Sequence, residues 1–251
     1  METTVNIKPL QNMPRLKEEG LTSNYHRTHE FAIGTFFILA AITSFIGLAL
    51  YQPILNNPEY VITGKANNQI ILGAVFELFL ACSAVGTAVS MYPYLRRYNE
   101  SIGLSYVLFR FFEAVFIVIG ALSLIAIVSV NQEIANSQSL NADSAITVSQ
   151  FFLEIHTWTF ILGPNFMLGI NTMCYSYIYY KTKLIPRKIS ILGIYASFSV
   201  SVAAYLEIFG VIEQVSLLGG ILSLPLGLTE MSLAFYVLIK GFNLPDNYNS
   251  D

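Results

Sequence analysis

Six long apolar segments, separated by short polar ones, make up most of the chain. They run near 31–54, 69–95, 102–130, 147–180, 188–212 and 215–240. Each is long enough to cross about 30 Å of hydrocarbon as a helix, for which about 20 residues suffice. The pattern therefore predicts an all-α polytopic membrane protein, a bundle of six transmembrane helices. The fourth segment is longer than a span needs, so its helix is expected to tilt or to begin outside the bilayer.

Lysine and arginine are concentrated in one alternate set of the connecting segments. The eleven residues in this set are Lys8, Arg15, Lys17, Arg27, Arg96, Arg97, Lys181, Lys183, Arg187, Lys188 and Lys240. The opposite set contains only Lys65. Because basic loops remain on the cytoplasmic side, both termini are predicted to be cytoplasmic. The expected location is the inner (cytoplasmic) membrane, with multiple passes.

These segments divide the chain into three parts. Residues 1–30 are predicted to form a polar cytoplasmic arm, residues 31–241 the six-helix transmembrane domain, and residues 242–251 a cytoplasmic tail. The longest predicted loop outside the membrane, roughly 131–146, is too short for a second domain.

The composition agrees with a membrane protein and excludes several other classes. The chain is 54% hydrophobic and 12% charged, whereas a soluble domain carries about 25% charged residues. Cys82 and Cys174 fall inside apolar segments, so no disulfide framework is indicated. No Walker loop, dinucleotide fingerprint or zinc-type cysteine pairing is present. No basic tract with interleaved aromatic residues suggests a nucleic-acid partner.

A few ionisable residues lie inside the apolar segments, where they are costly and usually face the interior of a bundle. They are Glu77, Arg110, Glu113, Glu154, His156, Glu207 and Glu230. Arg110 and Glu113 are one helical turn apart on the same side of a helix. An Arg at the centre of a membrane helix raises the free energy of inserting that helix by roughly 2.5–3.5 kcal/mol. We therefore expect Arg110 to form an ion pair with Glu113 or Glu230 inside the bundle.

Depth and helix geometry reduce the set of candidates further. Glu154 and His156 are about 200° apart around a helix, so only one of them can face the interior. His156 is predicted to be the inward one, because a neutral imidazole is easier to bury than a carboxylate. Glu154 and Glu207 are expected to be interfacial carboxylates near the outer boundary.

Four of the remaining side chains are predicted to converge on one polar cavity reached from the outer half of the membrane. Glu77, Glu113, His156 and Glu230 come from four different segments but from similar depths. Their three carboxylates outnumber the cations, since Arg110 and His156 supply at most two. Either carboxylates remain protonated or a bound cation compensates. A divalent metal held by Glu77, Glu113 and His156, a cationic substrate and a proton relay would each satisfy this requirement.

Four short motifs in the membrane region resemble a known family. They are Phe109-Arg-Phe-Phe-Glu-Ala114, Glu154-Ile-His-Thr157, Leu184-Ile-Pro-Arg187 with Leu192-Gly193, and Gly227-Leu-Thr-Glu-Met-Ser-Leu233 with Lys240-Gly241. Their order and spacing, over residues 30–243, resemble the prokaryotic integral-membrane family labelled domain of unknown function 4386. The resemblance implies six membrane helices and places Arg110, Glu113, His156 and Glu230 at motif positions. The chain differs at Glu77, where Asp is more typical, and at Phe235-Tyr236, where Trp is expected.

Three functions remain open at this point, since the family label implies no activity. The first is a protein whose buried Glu/Arg/His site binds a metal or a small polar ligand, as a membrane enzyme or a binding protein. The second is a proton-coupled transporter of a small solute. The third is a non-catalytic accessory or sensor protein whose polar cluster only fixes helix pairing. No residue is assigned a catalytic role, and the oligomeric state is left open.

Overall fold

The described part of the chain is helical throughout, apart from short turns. The computed structural model describes residues 18–55, 67–136 and 142–244, and this part contains no strand. The helices are α1 (Glu18–Leu55), α2 (Asn67–Tyr98), α3 (Glu100–Asn136), α4 (Ala142–Phe160), α5 (Leu168–Thr182), α6 (Arg187–Ile208) and α7 (Leu217–Lys240). A π-helical segment, Ile161–Met167, joins α4 to α5, so the seven helices form six rods. The predicted all-α six-helix architecture is confirmed.

Five helical stretches in the described residues are long and apolar enough to cross a membrane. They are His26–Tyr51, Asn67–Tyr98, Glu100–Ile134, Arg187–Ile208 and Leu217–Lys240. The protein is therefore a multi-pass membrane protein. Helix bounds differ from the sequence-based ones because helices continue past the apolar runs. The predicted loop 131–146, for example, is helical up to Asn136 and again from Ala142.

The fourth rod is interrupted where the sequence places Pro164. Proline has no backbone N–H and its ring clashes with the preceding turn. Here the chain adopts the π conformation over Ile161–Met167, while Phe160 and Leu168 on either side keep right-handed helical dihedral angles. The rod continues through the proline, but the side chains after it are rotated relative to a regular α-helix. This change of register decides where Asn165 lies.

Helix α3 packs between α2 and the fourth rod, and its opposite face is exposed. It contacts α2, α4, the π segment and α5, while α7 packs against α6 and α1. Small residues permit the closest approaches, as is usual between membrane helices. A Cβ atom at Gly34 of α1, for example, would lie 2.9 Å from the carbonyl oxygen of Ala234 on α7.

The start of α1 and the end of α7 are tied together at one end of the bundle, which we call the termini end. The carboxylate of Glu30 accepts a hydrogen bond from the backbone N–H of Phe242 (2.7 Å). Arg27 donates to the Leu238 carbonyl oxygen (2.6 Å), which is one of the last carbonyls of α7. Glu30 and Phe242 are both buried. The residues that flank the predicted membrane domain therefore belong to its packed end.

The orientation of this bundle in the membrane is predicted from the distribution of lysine and arginine and can be measured. We expect a cysteine at Ser137, which lies outside the described residues, to be labelled by a membrane-impermeant thiol reagent added outside cells. A cysteine at Ser23 should not react, because the termini end is predicted to be cytoplasmic. Both variants are made with Cys82 and Cys174 replaced by serine. The opposite labelling pattern would reverse the predicted topology.

Candidate functional site

Arg110 and Glu113 form a buried ion pair on α3. One guanidinium nitrogen of Arg110 lies 3.0 and 2.9 Å from the two carboxylate oxygens of Glu113. Each residue is only 3% exposed. Their spacing along one helix brings the side chains together before any tertiary contact forms. The predicted ion pair is therefore present, with Glu113 as the partner.

Neighbouring helices supply the remaining polar contacts of this pair. The Nε of Arg110 donates to the hydroxyl oxygen of Thr87 on α2 (3.0 Å), and the amide of Asn171 on α5 donates to Glu113 (2.7 Å). The ring of Phe37 on α1 lies 5.8 Å from the guanidinium carbon. Thr87 and Asn171 were not among the predicted site residues, because only ionisable side chains were candidates. Uncharged polar residues inside apolar segments would have been the signal.

A cavity of about 260 Å³ lies beside this ion pair. It is lined by Ala40, Ala41, Ser44, Phe45, Leu80, Arg110, Glu113, Phe160, Pro164, Asn165, Leu168, Ser223, Leu226, Gly227 and Glu230. The lining residues come from α1, α2, α3, the fourth rod and α7. Glu230 lies in the cavity wall, and its buried Oε1 atom has no hydrogen-bond partner. The cavity thus holds one positive side chain and two carboxylates, and the cation is already shared with Glu113.

Glu77 and His156 form a second polar cluster together with Tyr51. The hydroxyl of Tyr51 donates to Oε1 of Glu77, and Nε2 of His156 lies 2.9 Å from the same oxygen. The rings of Tyr51 and His156 meet edge to face, with centroids 5.1 Å apart. All three residues are at most 2% exposed. Tyr51 fits against α2 because Gly73 opposite its ring has no Cβ atom.

The predicted single cavity is therefore replaced by two neighbouring clusters. Arg110, Glu113 and Glu230 line the cavity, whereas Glu77 and His156 are absent from its lining. Phe160 connects the clusters, since it lines the cavity and its ring centroid lies 5.3 Å from that of His156. The inward orientation predicted for His156 is found.

The metal set proposed from the sequence is also divided between the clusters. Glu77 and His156 are together, but Glu113 contacts Arg110 and Asn171 instead. In the described ranges, no three His, Cys, Asp or Glu side chains are grouped so that they could hold a metal ion.

A family model described as a domain of unknown function, DUF4386, matches residues 32–241. The chain belongs to this family. The resemblance noted from the four motifs is thereby confirmed, and the matched range contains both polar clusters. Comparison with curated proteins and with solved structures finds no significant match.

The two carboxylates predicted at the boundary of this DUF4386 protein have different environments. Glu154 is exposed and, with Glu213, lines a surface depression of about 600 Å³ at the end opposite the termini end. Glu207 lies in the last turn of α6, near the helix end as predicted, but its side chain is not open to solvent. Glu207 is 5% exposed and accepts a hydrogen bond from Asn165 (2.6 Å). The π segment places Asn165 within reach of α6, a register change that an ideal helix does not predict.

The cavity of the DUF4386 chain suits recognition of a polar group within an apolar surround. The Arg110–Glu113 pair is held in place by Thr87 and Asn171, so it forms a fixed wall. The oxygen of Glu230 that has no partner can accept a hydrogen bond from a bound ligand or form an ion pair with its positive charge. Asn165, Ser44 and Ser223 add uncharged polar groups around it.

Proposed function

We propose that this DUF4386 protein binds a small ligand carrying a positively charged group in the cavity beside Arg110 and Glu113. The observation that carries the proposal is the buried oxygen of Glu230, which lines the cavity and has no hydrogen-bond partner. A buried carboxylate oxygen without a donor is unfavourable, so a cationic donor in the cavity would stabilise it. Arg110 attracts Glu230 electrostatically, but its hydrogen bonds go to Glu113 and Thr87.

An organic cation fits this site better than a metal ion does. A metal of the zinc type takes three or four protein ligands, whereas Glu230 is the carboxylate in the cavity wall that is not held by an arginine. An ammonium group needs only hydrogen-bond acceptors, and Asn165 and Ser223 in the lining of the same cavity can supply further ones. Divalent metal binding is therefore the weaker of the two alternatives.

Glu77 and His156 are proposed to support the site rather than to contact the ligand. They share a hydrogen bond, Glu77 also accepts one from Tyr51, and the ring of His156 packs against Phe160 of the cavity wall. A purely structural role for the whole polar centre would require a fully paired cluster without a cavity. The cavity and the unpaired oxygen of Glu230 count against that role.

Residues 31–241 are proposed to form the membrane domain, in the inner membrane with both termini cytoplasmic.

Butylammonium is a suitable probe of the proposed cation site. We expect butylammonium chloride to raise the thermal unfolding temperature of the detergent-purified protein above that in sodium chloride of equal ionic strength. A ligand at roughly a hundred times its Kd adds about 2.7 kcal/mol to the free energy of unfolding. The variant Glu230→Gln should lose this stabilisation because the neutral amide cannot compensate an ammonium charge.

Glu154→Gln is the matched control for this experiment. It removes the same charge from an exposed carboxylate outside the cavity, so its response to butylammonium should equal that of the wild type. An equal response of Glu230→Gln and the wild type, or no response of either, would reject the proposed function.

A further inference from the structure

We propose that the ligand is an amphiphile with a primary ammonium head and a single alkyl chain, which enters the cavity sideways from the bilayer between α1 and α7. The inference rests on the proposed function and adds the chemical class of the ligand and its route. The ammonium head would lie beside Glu230, and the chain would extend between the two helices into the lipid.

Helices α1 and α7 touch at the termini end and line the cavity farther along. At the termini end, Gly34 lies against Ala234 and Leu238 so closely that a Cβ atom would clash. Farther along, Ser44 and Phe45 of α1 and Ser223 and Gly227 of α7 line the cavity. The space between the two helices is therefore closed at one end and hollow farther along.

The rim of this space is apolar and exposed on the side that a bilayer would cover. Phe45 is 76% exposed although it lines the cavity. Gly227, on the opposite helix, is exposed, and a Cβ atom built there would meet nothing within 4 Å. Because both residues belong to segments long enough to span a membrane, the opening between them faces hydrocarbon and suits an alkyl chain.

The size of the cavity indicates that it holds the head group and only part of the chain. Its volume of about 260 Å³ is below the roughly 300–1,000 Å³ of pockets that enclose a drug-sized ligand. Leu80 and Leu226 in the lining are buried, whereas Phe45 and Gly227 are exposed. The remainder of a long ligand would therefore pass out between Phe45 and Gly227.

Protection of a cavity cysteine by a lipid-borne amine tests this inference. Ser223→Cys, with Cys82 and Cys174 replaced by serine, is placed in lipid nanodiscs and modified with aminoethyl methanethiosulfonate. Dodecylammonium added to the nanodisc lipid should slow the modification about tenfold at roughly ten times its Kd. Ser44→Cys on the α1 wall of the cavity serves as a second reporter.

Two glycine variants of α7 separate the lateral route from the head-group site. Gly227→Leu places a side chain in the rim of the cavity. Gly220→Leu, the control, adds the same side chain seven residues earlier. Gly220 is on nearly the same face of α7 but outside the cavity lining. At both positions a Cβ atom meets nothing within 4 Å, and leucine is a better helix former than glycine. Gly227→Leu should abolish protection by dodecylammonium, and Gly220→Leu should retain it.

The outcomes separate this inference from the proposed function. If Gly227→Leu keeps the full protection by dodecylammonium, the lateral route is wrong. If butylammonium stabilises the protein through Glu230 but dodecylammonium gives no protection, the cation site stands and the amphiphile is rejected. If neither amine acts, the proposed function fails as well. Stabilisation of Gly227→Leu by butylammonium, together with lost protection by dodecylammonium, is the result that supports the inference.

Discussion

Replacing Arg110 with alanine is expected to lower the free energy of unfolding by about 3–5 kcal/mol, the usual effect of removing one partner of a buried ion pair. Glu113 would remain in the bundle centre, where it is 3% exposed, without its counter-ion. Asn171 would still donate to it, but one neutral donor does not replace a guanidinium that contacts both carboxylate oxygens. Thr87 would also lose its bond from Arg110.

This change can be measured as the unfolding free energy of detergent-purified variants. Arg97→Ala is the control, since Arg97 is exposed at the termini end of α2 and surface substitutions usually stay within about 0.5 kcal/mol. Arg110→Lys should fall between the two, because it keeps the charge but loses the planar fork of donors. Equal effects at Arg110 and Arg97 would contradict a buried, stabilising pair.

The second large effect is expected at Glu77. Glu77→Ala should lower the free energy of unfolding by about 2–5 kcal/mol, because two buried partners lose their acceptor and a cavity is left. The hydroxyl of Tyr51 and Nε2 of His156 both contact Oε1 of Glu77, which is fully buried. Glu154→Ala on the exposed face of α4 should change stability by less than about 0.5 kcal/mol.

A double-mutant cycle with Tyr51→Phe shows whether the Tyr51–Glu77 contact itself carries this stability. Coupled residues in one hydrogen-bond network show interaction energies of about 0.5–3 kcal/mol. We expect the combined variant to be less destabilised than the sum of the single changes. Additive effects would mean that Glu77 acts through packing alone.

Because the two clusters are separate, the residues that were predicted to form one site are expected to have different roles. Glu230 lies in the cavity wall and is proposed to contact a ligand. Glu77 and His156 connect α1, α2 and α4, and they meet the cavity through the ring of Phe160. Their substitution should therefore affect stability first, and ligand binding only as far as Phe160 moves.

The part of the site that could be predicted from the sequence is the part set by local helix geometry. Arg110 and Glu113 are three residues apart on one helix, so their contact requires nothing from the rest of the fold. Glu154 and His156 are too far apart around their helix to both face inward, and His156 was predicted to do so because a neutral imidazole is easier to bury than a carboxylate. The partners of these residues could not be found this way, since Tyr51, Asn171 and Thr87 come from other helices whose rotations are set by packing.

The sequence alone determined that the protein is a helical membrane protein and which ionisable residues lie within its apolar segments, because apolar run length and helical spacing are local properties. Only the tertiary structure decided how those residues are divided between the cavity and the cluster of Glu77, His156 and Tyr51. The rotation of each helix follows from close packing at residues such as Gly34 and Gly73. The π segment at Pro164 shifts the register of the fourth rod, so Asn165 reaches Glu207. These contacts join residues far apart in the chain, and no local pattern encodes them.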